Sequence, residues 1–316
     1  MMQAAIAVDL GGTNLRIATI TDSGEMLKRI SLPTRCAEGP SRVIRDICDG
    51  IKEVKDHASS EWELAGIGIG VPGILYLEKG VLRESPNLPG WINYPVRDEI
   101  ESILKMPVLL DNDANVAALG ESWLGAGRGY DSMCMLTLGT GIGGGLILNG
   151  KIWHGFLGMA GELGHIVVAE NGSRCACGGQ GCLETEASAS AIARKGRDAF
   201  AQGHSTKLKQ LAATPEEISS DLVYRYAKQG DAVCQEILQS AGRYLGIGIA
   251  SLINTLNLPL YVIGGGAAAA WDLLSPSIFD EAQKRSYIYR EGSTKIVPSE
   301  LGGDAGLYGA AKLVLQ

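Results

Sequence analysis

The chain has 316 residues, 46% of them hydrophobic and 20% charged, with a net charge of −7 and a pI near 5.2. That length carries two domains of ordinary size, since domains mostly run about 100–150 residues. The acidic balance argues against a nucleic-acid binder, whose affinity draws on a basic face and counterion release.

The first predicted strand, Ala4 to Leu10, is apolar until Asp9 and ends in Gly11-Gly12-Thr13-Asn14. Leu15 to Ile20 reads as a second strand and Met26 to Leu32 as a third, with a turn at Asp22-Ser23-Gly24. A dinucleotide phosphate loop would lead from a strand into a helix. Here the glycine turn joins strand to strand, so it is a different device. Arg42 to Ala58 has helical spacing, with Val43, Ile44, Ile47, Ile51 and Val54 on one face. A buried strand, Leu64 to Val71, is closed by Pro72-Gly73, and Pro86 to Trp91 reads as a loop. Helix Val96–Leu104, strand Val108–Leu110 and helix Ala114–Leu124 complete an α/β lobe.

The second half opens on the same pattern. Met133 to Leu138 is a predicted strand, Gly139 to Gly145 a glycine turn, Leu146 to Leu148 a strand, Asn149-Gly150 a hairpin turn, and Lys151 to His154 a further strand. Two strand–glycine-turn–strand–turn–strand units imply a duplicated architecture, two related lobes whose glycine turns face each other across a cleft. From Ala187 the chain reads as mainly helical to Leu256. Leu260 to Ile263 is a strand ending in Gly264-Gly265-Gly266, and a last helix, Ala305 to Leu315, returns to the first lobe. No charge falls between Arg243 and Asp272, but Asn254, Asn257, Pro259 and the three glycines interrupt that stretch. A buried helix followed by a buried strand is expected there, and no membrane span. Met1 to Ala7 has no positive region, which argues against a signal peptide. With seven cysteines, an odd number, this points to a reducing compartment, the cytoplasm.

Three glycine turns after apolar strands, at 11–12, 139–145 and 264–266, let backbone N–H groups approach an anion closely, as a triphosphate requires. Asp9, beside the first turn, could hold Mg²⁺ through water or could be a turn-forming residue. In Leu109-Leu110-Asp111-Asn112-Asp113-Ala114-Asn115, between strand and helix, Asp113 could take a proton from an attacking hydroxyl while Asn112 orients the acceptor. The spacing leaves open the alternative that Asp111 or Asp113 only caps the helix. Glu162 and His165 lie three apart, and Cys175, Cys177 and Cys182 follow. Three thiolates and one imidazole make up a closed Cys₃His zinc set, which builds structure and leaves no open coordination position for chemistry.

Together, Asp9-Leu-Gly-Gly-Thr-Asn14, Leu138-Gly-Thr-Gly-Ile-Gly-Gly-Gly145, Glu162-Leu-Gly-His165 and Cys175-Ala-Cys-Gly-Gly-Gln-Gly-Cys182 resemble the ROK family of sugar kinases and regulators, over nearly the whole chain. The resemblance implies an actin-like, hexokinase-like α/β fold with an interlobe cleft. Its lobes would be 1–122 joined by 303–316, and 123–302. It implies ATP-dependent phosphorylation of a hexose at the 6-hydroxyl, with Mg²⁺ and structural Zn²⁺. Asp113 matches the family's general base, and Asn87, Asn112, Asp113, Glu162, His165 and Glu184 match sugar-binding positions. Asp9, Gly11, Gly12, Thr13, Asn14, Thr140 and Gly141 match the phosphate region, and Gly264, Gly265 and Gly266 the adenosine region. His165, Cys175, Cys177 and Cys182 match the zinc ligands, with one ring nitrogen of His165 on the metal and the other on the sugar. Ser85-Pro-Asn-Leu-Pro-Gly-Trp91 resembles the loop of the family's bacterial glucokinases. That loop makes glucose the expected hexose; a kinase for N-acetylmannosamine, mannose or fructose, or a non-catalytic sugar sensor, is the alternative the resemblance leaves open, as is polyphosphate for ATP. The repressors carry a helix-turn-helix domain ahead of the kinase-like part, and a first glycine turn at residue 11 is expected to leave no room for one. A homodimer or homotetramer is the expected assembly.

Overall fold

The computed structural model describes residues 2–56, 62–204 and 206–315. Three antiparallel strands open it: β1 (Met2–Leu10), β2 (Asn14–Thr21) and β3 (Met26–Pro33). Helix α1 (Pro40–Lys55) follows and presents Val43, Ile44, Ile47, Ile51 and Val54 to the core. Of the helix expected there, residues 57–58 lie outside the described residues. β4 (Trp62–Val71) pairs parallel with β1, and a small hairpin, β5 (Ile74–Tyr76) with β6 (Val81–Glu84), leads to α2 (Val96–Leu104). β7 (Val108–Asn112), parallel to β4, runs without a loop into α3 (Asp113–Leu124).

A second set begins with β8 (Met133–Leu138), β9 (Ile142–Leu148) and β10 (Lys151–Ile152). Gly143, Gly144 and Gly145, expected in a turn, lie inside β9, so the second glycine turn is only 139–141. The strand expected to reach His154 stops at Ile152. Irregular chain then leads to α4 (Leu183–Ala187), α5 (Ala189–Gln202), α6 (Thr206–Leu211), α7 (Ser220–Lys228) and the long α8 (Ala232–Leu256), capped by Asn257 in the left-handed region. β11 (Leu260–Gly264), α9 (Trp271–Arg285), α10 (Tyr287–Arg290), β12 (Lys295–Pro298) and α11 (Ala305–Val314) complete the chain. The uncharged stretch is thus the end of a helix and a buried strand. Among the described residues no helix is long and apolar enough to cross a membrane.

The two large sheets have the same topology. One runs β3-β2-β1-β4-β7 and the other β10-β9-β8-β11-β12. In each, a three-strand meander is followed by two parallel strands reached by crossovers, with β11 parallel to both β8 and β12. The shared strand order fits the duplication read from the glycine turns.

By contacts the chain forms two compact units: Met1–Ser132 with Gly145–Gly161 and Glu300–Gln316, and Met133–Gly144 with Glu162–Ser299. They differ from the lobes drawn from sequence by counting 123–132, 145–161 and 300–302 with the first. One reason is Glu121, fully buried, whose carboxylate takes the backbone N–H groups of Ala126, Glu300 and Leu301. In the first unit the two faces of β1 explain the packing. Ile6, Val8 and Leu10 point into a core with α1 and α2, while Ala5 and Ala7 point toward α3 and α11. Alanines on that face let α11 lie close: a Cβ on Gly309 would fall 1.7 Å from the Val116 carbonyl oxygen of α3. Each large aliphatic side chain buried in the wider core contributes about 1.5–3 kcal/mol of transfer energy. In the second unit, Gly242 and Gly246 of α8 lie against Leu274 and Ile278 of α9.

Candidate active site and metal centre

In the first unit the junction of β7 and α3 is settled by Asn112. Its Oδ1 accepts the N–H groups of Ala114 (2.9 Å) and Asn115 (3.4 Å), the N-cap arrangement. Its Nδ2 donates to Gly73 O at 3.2 Å. The cap is therefore neither Asp111 nor Asp113. Asp113 stands half-buried as the first helical residue, where an acid suits the helix dipole; its Oδ1 also lies 3.0 Å from the Ala114 N–H. Gly73 abuts Ser85, which opens the 85–91 loop, and Ser85 Oγ accepts the Asn87 N–H at 3.2 Å. Asn87, exposed, lies on the first glycine turn: a Cβ on Gly12 would sit 3.0 Å from its carbonyl oxygen. A chain of contacts thus leads from Asn112, beside Asp113 in the sequence, through Gly73 and the 85–91 loop to Gly12.

Asp9, two residues before the first glycine turn, is 9% exposed, with Arg16 Nη2 2.6 Å from its carboxylate. Burial raises its pKa, and Arg16 opposes the shift. Thr13 and Asn14 are exposed; Thr13 O accepts the Thr34 N–H, and Asn14 O accepts the Gly11 N–H.

In the second unit Glu184 holds the second glycine turn. Its Oε2 accepts the Ile142 N–H at 3.1 Å, and a Cβ on Gly141 would strike that oxygen at 2.0 Å. Gly139 and Gly141 close the turn by a 2.9 Å backbone bond, with Thr140 exposed at its tip. Gly265, with φ +81°, lies against the backbone of Leu138, so the third turn adjoins the second; Gly264 ends β11 and Gly266 begins a short 3₁₀ helix. Gly164 abuts Ile142 O and carries the Glu162–His165 segment onto the same turn. That segment is a 3₁₀ turn, with His165 Nε2 3.8 Å from Glu162 Oε2.

The other ring nitrogen, His165 Nδ1, lies 3.6 Å from Cys175 Sγ, and Cys177 Sγ lies 3.7 Å from Cys182 Sγ. All four donor atoms fall within 4.8 Å of one another. A tetrahedral ion with metal–sulfur bonds of about 2.3 Å needs sulfur–sulfur edges of about 3.8 Å, so the set fits a metal ion. The chain wraps the site tightly, through Cys175 N–H to Gly179 O and Gly178 N–H to Cys175 O. Burial raises the pKa of Cys175 and pushes that of Cys182 up to about 12, whereas the Gly179 backbone lowers that of Cys177. Loading an ion there displaces thiol protons. Cys175 Sγ also lies 3.8 Å from Glu184 Oε1, which brings the metal set and the second turn together.

The ROK family model matches residues 5–316. The chain belongs to the ROK family. It is 38% identical over 313 residues to a glucokinase of Halalkalibacterium halodurans, covering 98% of this chain and 94% of that one. It is 32% identical to a xylose repressor of Caldicellulosiruptor bescii, over 98% of this chain and 78% of the repressor. A ROK glucokinase of Streptomyces griseus, solved with glucose and AMPPNP, superposes with a TM-score of 0.82 at 31% identity, covering 98% of both chains. The fold of this ROK protein is therefore the actin-like, hexokinase-like α/β fold.

His154 stands outside every motif readable in the sequence. Its Nε2 lies 2.6 Å from Asp111 Oδ2, and this hydrogen bond is the main cause of its raised pKa. Asp111 is 3% exposed, and its Oδ1 accepts the Asn112 N–H (2.7 Å) and Asn115 Nδ2 (3.0 Å). A lone histidine after a two-residue strand carries no spacing signal; only the fold brings it to Asp111.

Proposed function

We propose that this ROK protein is an ATP-dependent glucokinase, transferring the γ-phosphoryl group of ATP to the 6-hydroxyl of glucose to give ADP and glucose 6-phosphate. The observation that supports it most is the division of roles at the β7–α3 junction: Asn112 takes the helix cap and reaches Gly73, which abuts the 85–91 loop, so the carboxylate of Asp113 is not needed as the cap. Similarity to glucokinases over nearly the whole chain agrees.

In this reading Asp113 accepts the proton of the sugar hydroxyl as its oxygen bonds to phosphorus and the bond to ADP breaks. Asn87, Asn112, Glu162, His165 and Glu184 bind and orient sugar hydroxyls. The backbone N–H groups of the glycine turns neutralise phosphate charge, and Gly264–Gly266 borders the adenosine. Mg²⁺, when bound, would offset charge on the phosphates, and Asp9, two residues before the first turn, is the carboxylate proposed to hold it through water. Zinc is the ion that suits Cys175, Cys177, Cys182 and His165, fixing the imidazole so that Nε2 is left for sugar.

A coupled ADP-release assay over glucose, mannose, N-acetylmannosamine and fructose, with ATP and then polyphosphate, tests this. The highest kcat/KM is expected for glucose with ATP. The likeness to a xylose repressor makes sugar sensing the second reading. Calorimetric glucose binding with no ADP release from any hexose would establish it and remove the kinase.

A further inference from the structure

We propose that His154 is a positioning residue for phosphoryl transfer, acting through Asp111 to fix the backbone that carries Asp113. This rests on the kinase reading. An ionised carboxylate only accepts, so His154 Nε2 donates to Asp111 Oδ2 across 2.6 Å. The other oxygen of the same carboxylate accepts the Asn112 N–H at 2.7 Å and Asn115 Nδ2 at 3.0 Å. One buried carboxylate thereby ties the last residue of β7 to the first turn of α3, with Asp113 between them. Its strand neighbour adds a further constraint, since Asp111 and Asn112 are in register with Gly70 and Val71 of β4.

The segment that brings His154 also supports the helix sterically. Gly145 of β9 packs on the first turns of α3, where a Cβ would lie 2.5 Å from Ala118 Cβ and 2.8 Å from Ala114 O. The segment 145–154 thus holds the junction at two points, α3 by shape and the end of β7 by the His154–Asp111 bond. Removing the imidazole leaves Asp111 Oδ2 buried without its donor, and a carboxylate so stranded turns to other N–H groups. The nearest donors already on it are those of Asn112 and Asn115, so the junction itself shifts. A base misplaced by about 1 Å loses up to 10²-fold in rate.

His154→Leu removes the donor. His154→Gln keeps an N–H where Nε2 stood. Hydrogen–deuterium exchange of the peptide spanning 111–116 reads the junction directly, and steady-state kinetics read its consequence. Faster exchange in His154→Leu but not in His154→Gln is expected. The kcat with glucose and ATP should fall about tenfold or more in His154→Leu, with KM for glucose within about twofold, and recover to within about threefold in His154→Gln. Unchanged exchange and kcat in a folded His154→Leu enzyme would overturn the assignment, as would equal losses in both variants. Wild-type protein that releases no ADP with glucose sinks the kinase reading instead, and exchange at 111–116 still decides whether His154 holds the junction.

Discussion

Asp111, Asn112 and Asp113 are held by a strand that runs directly into a helix, whereas His165 and the three cysteines are held by a segment with little regular structure of its own. From Gly158 to Cys182 the backbone has one 3₁₀ turn and two isolated bridges, Val167 with Cys182 and Arg174 with Gln180. At the junction, sheet pairing, a helix cap and a buried carboxylate specify the geometry before any ligand arrives. At the cluster, two buried thiols with raised pKa values converge with an exposed one and an imidazole, and nothing apolar explains why they should. The first region is a product of folding; the second, in the proposed reading, is completed by a cation. Substituting one side chain should therefore cost chemistry at the junction and stability at the cluster.

The largest effect is expected at the junction. Asp113→Asn keeps shape and helix position but cannot take the hydroxyl proton, so kcat should fall about 10²–10⁴-fold. Glucose binding by calorimetry and the melting temperature should stay near wild type. A variant retaining a tenth of wild-type kcat would take the base role from Asp113. The cluster should answer in the opposite sense. Cys177→Ser, or chelation of the wild type, removes a ligand whose binding energy is also folding energy, and Tm should drop by roughly 10 °C. Metal analysis of the purified protein should find about one zinc per chain. A chelated protein with unchanged Tm would erase the contrast between the two regions.

How much of this was legible in the sequence follows the same divide. The meander strands, α1, α2 and β8 carry strong periodicity and lie where the residues placed them. The β5–β6 hairpin and β12 escaped notice because three or four residues give no periodic signal. Helix α9 carries Pro276 in its interior, a residue that reads as a breaker. The glycines at 143–145 read as turn, yet they are strand because Gly145 must pass close to α3. The cysteine cluster was readable because its ligands are near in sequence. The His154–Asp111 pair was not, because 43 positions separate its members. The family resemblance assigns Asn112 to the sugar, and its further duty as the cap shows only in the hydrogen bonds its side chain accepts from Ala114 and Asn115.

A smaller effect tests whether the second unit also has a rigid feature independent of the ion. Gly141→Ala would drive a methyl group into Glu184 Oε2 and dislodge it from the Ile142 N–H. The second glycine turn would then lose its fixed shape. An increase of about tenfold in KM for ATP is expected, with zinc content unchanged. ATP kinetics equal to wild type would mean that Glu184 does not shape the nucleotide turn.

The smallest effect separates the two roles of Asp111, as partner of a histidine and as anchor of a backbone. Hydrogen bonding to Asp111 raises the pKa of His154 above its ordinary value near 6.5. A basic group whose pKa is higher in the folded protein binds protons more tightly there than in the unfolded chain. Its stabilisation is therefore complete below about pH 6.5 and fades as pH rises through the folded value. The imidazole side chain is 35% exposed, so screening holds the gain below about 1 kcal/mol, or roughly 2–4 °C. Melting curves of wild type and His154→Gln should differ most at pH 5.5–6 and converge toward pH 8–9. Convergence leaves the neutral hydrogen bond, which glutamine also makes, as the agent that holds Asp111 at neutral pH. A difference that grows with pH would mean that the histidine is held neutral, and the pair would then stabilise the fold without an ionic component.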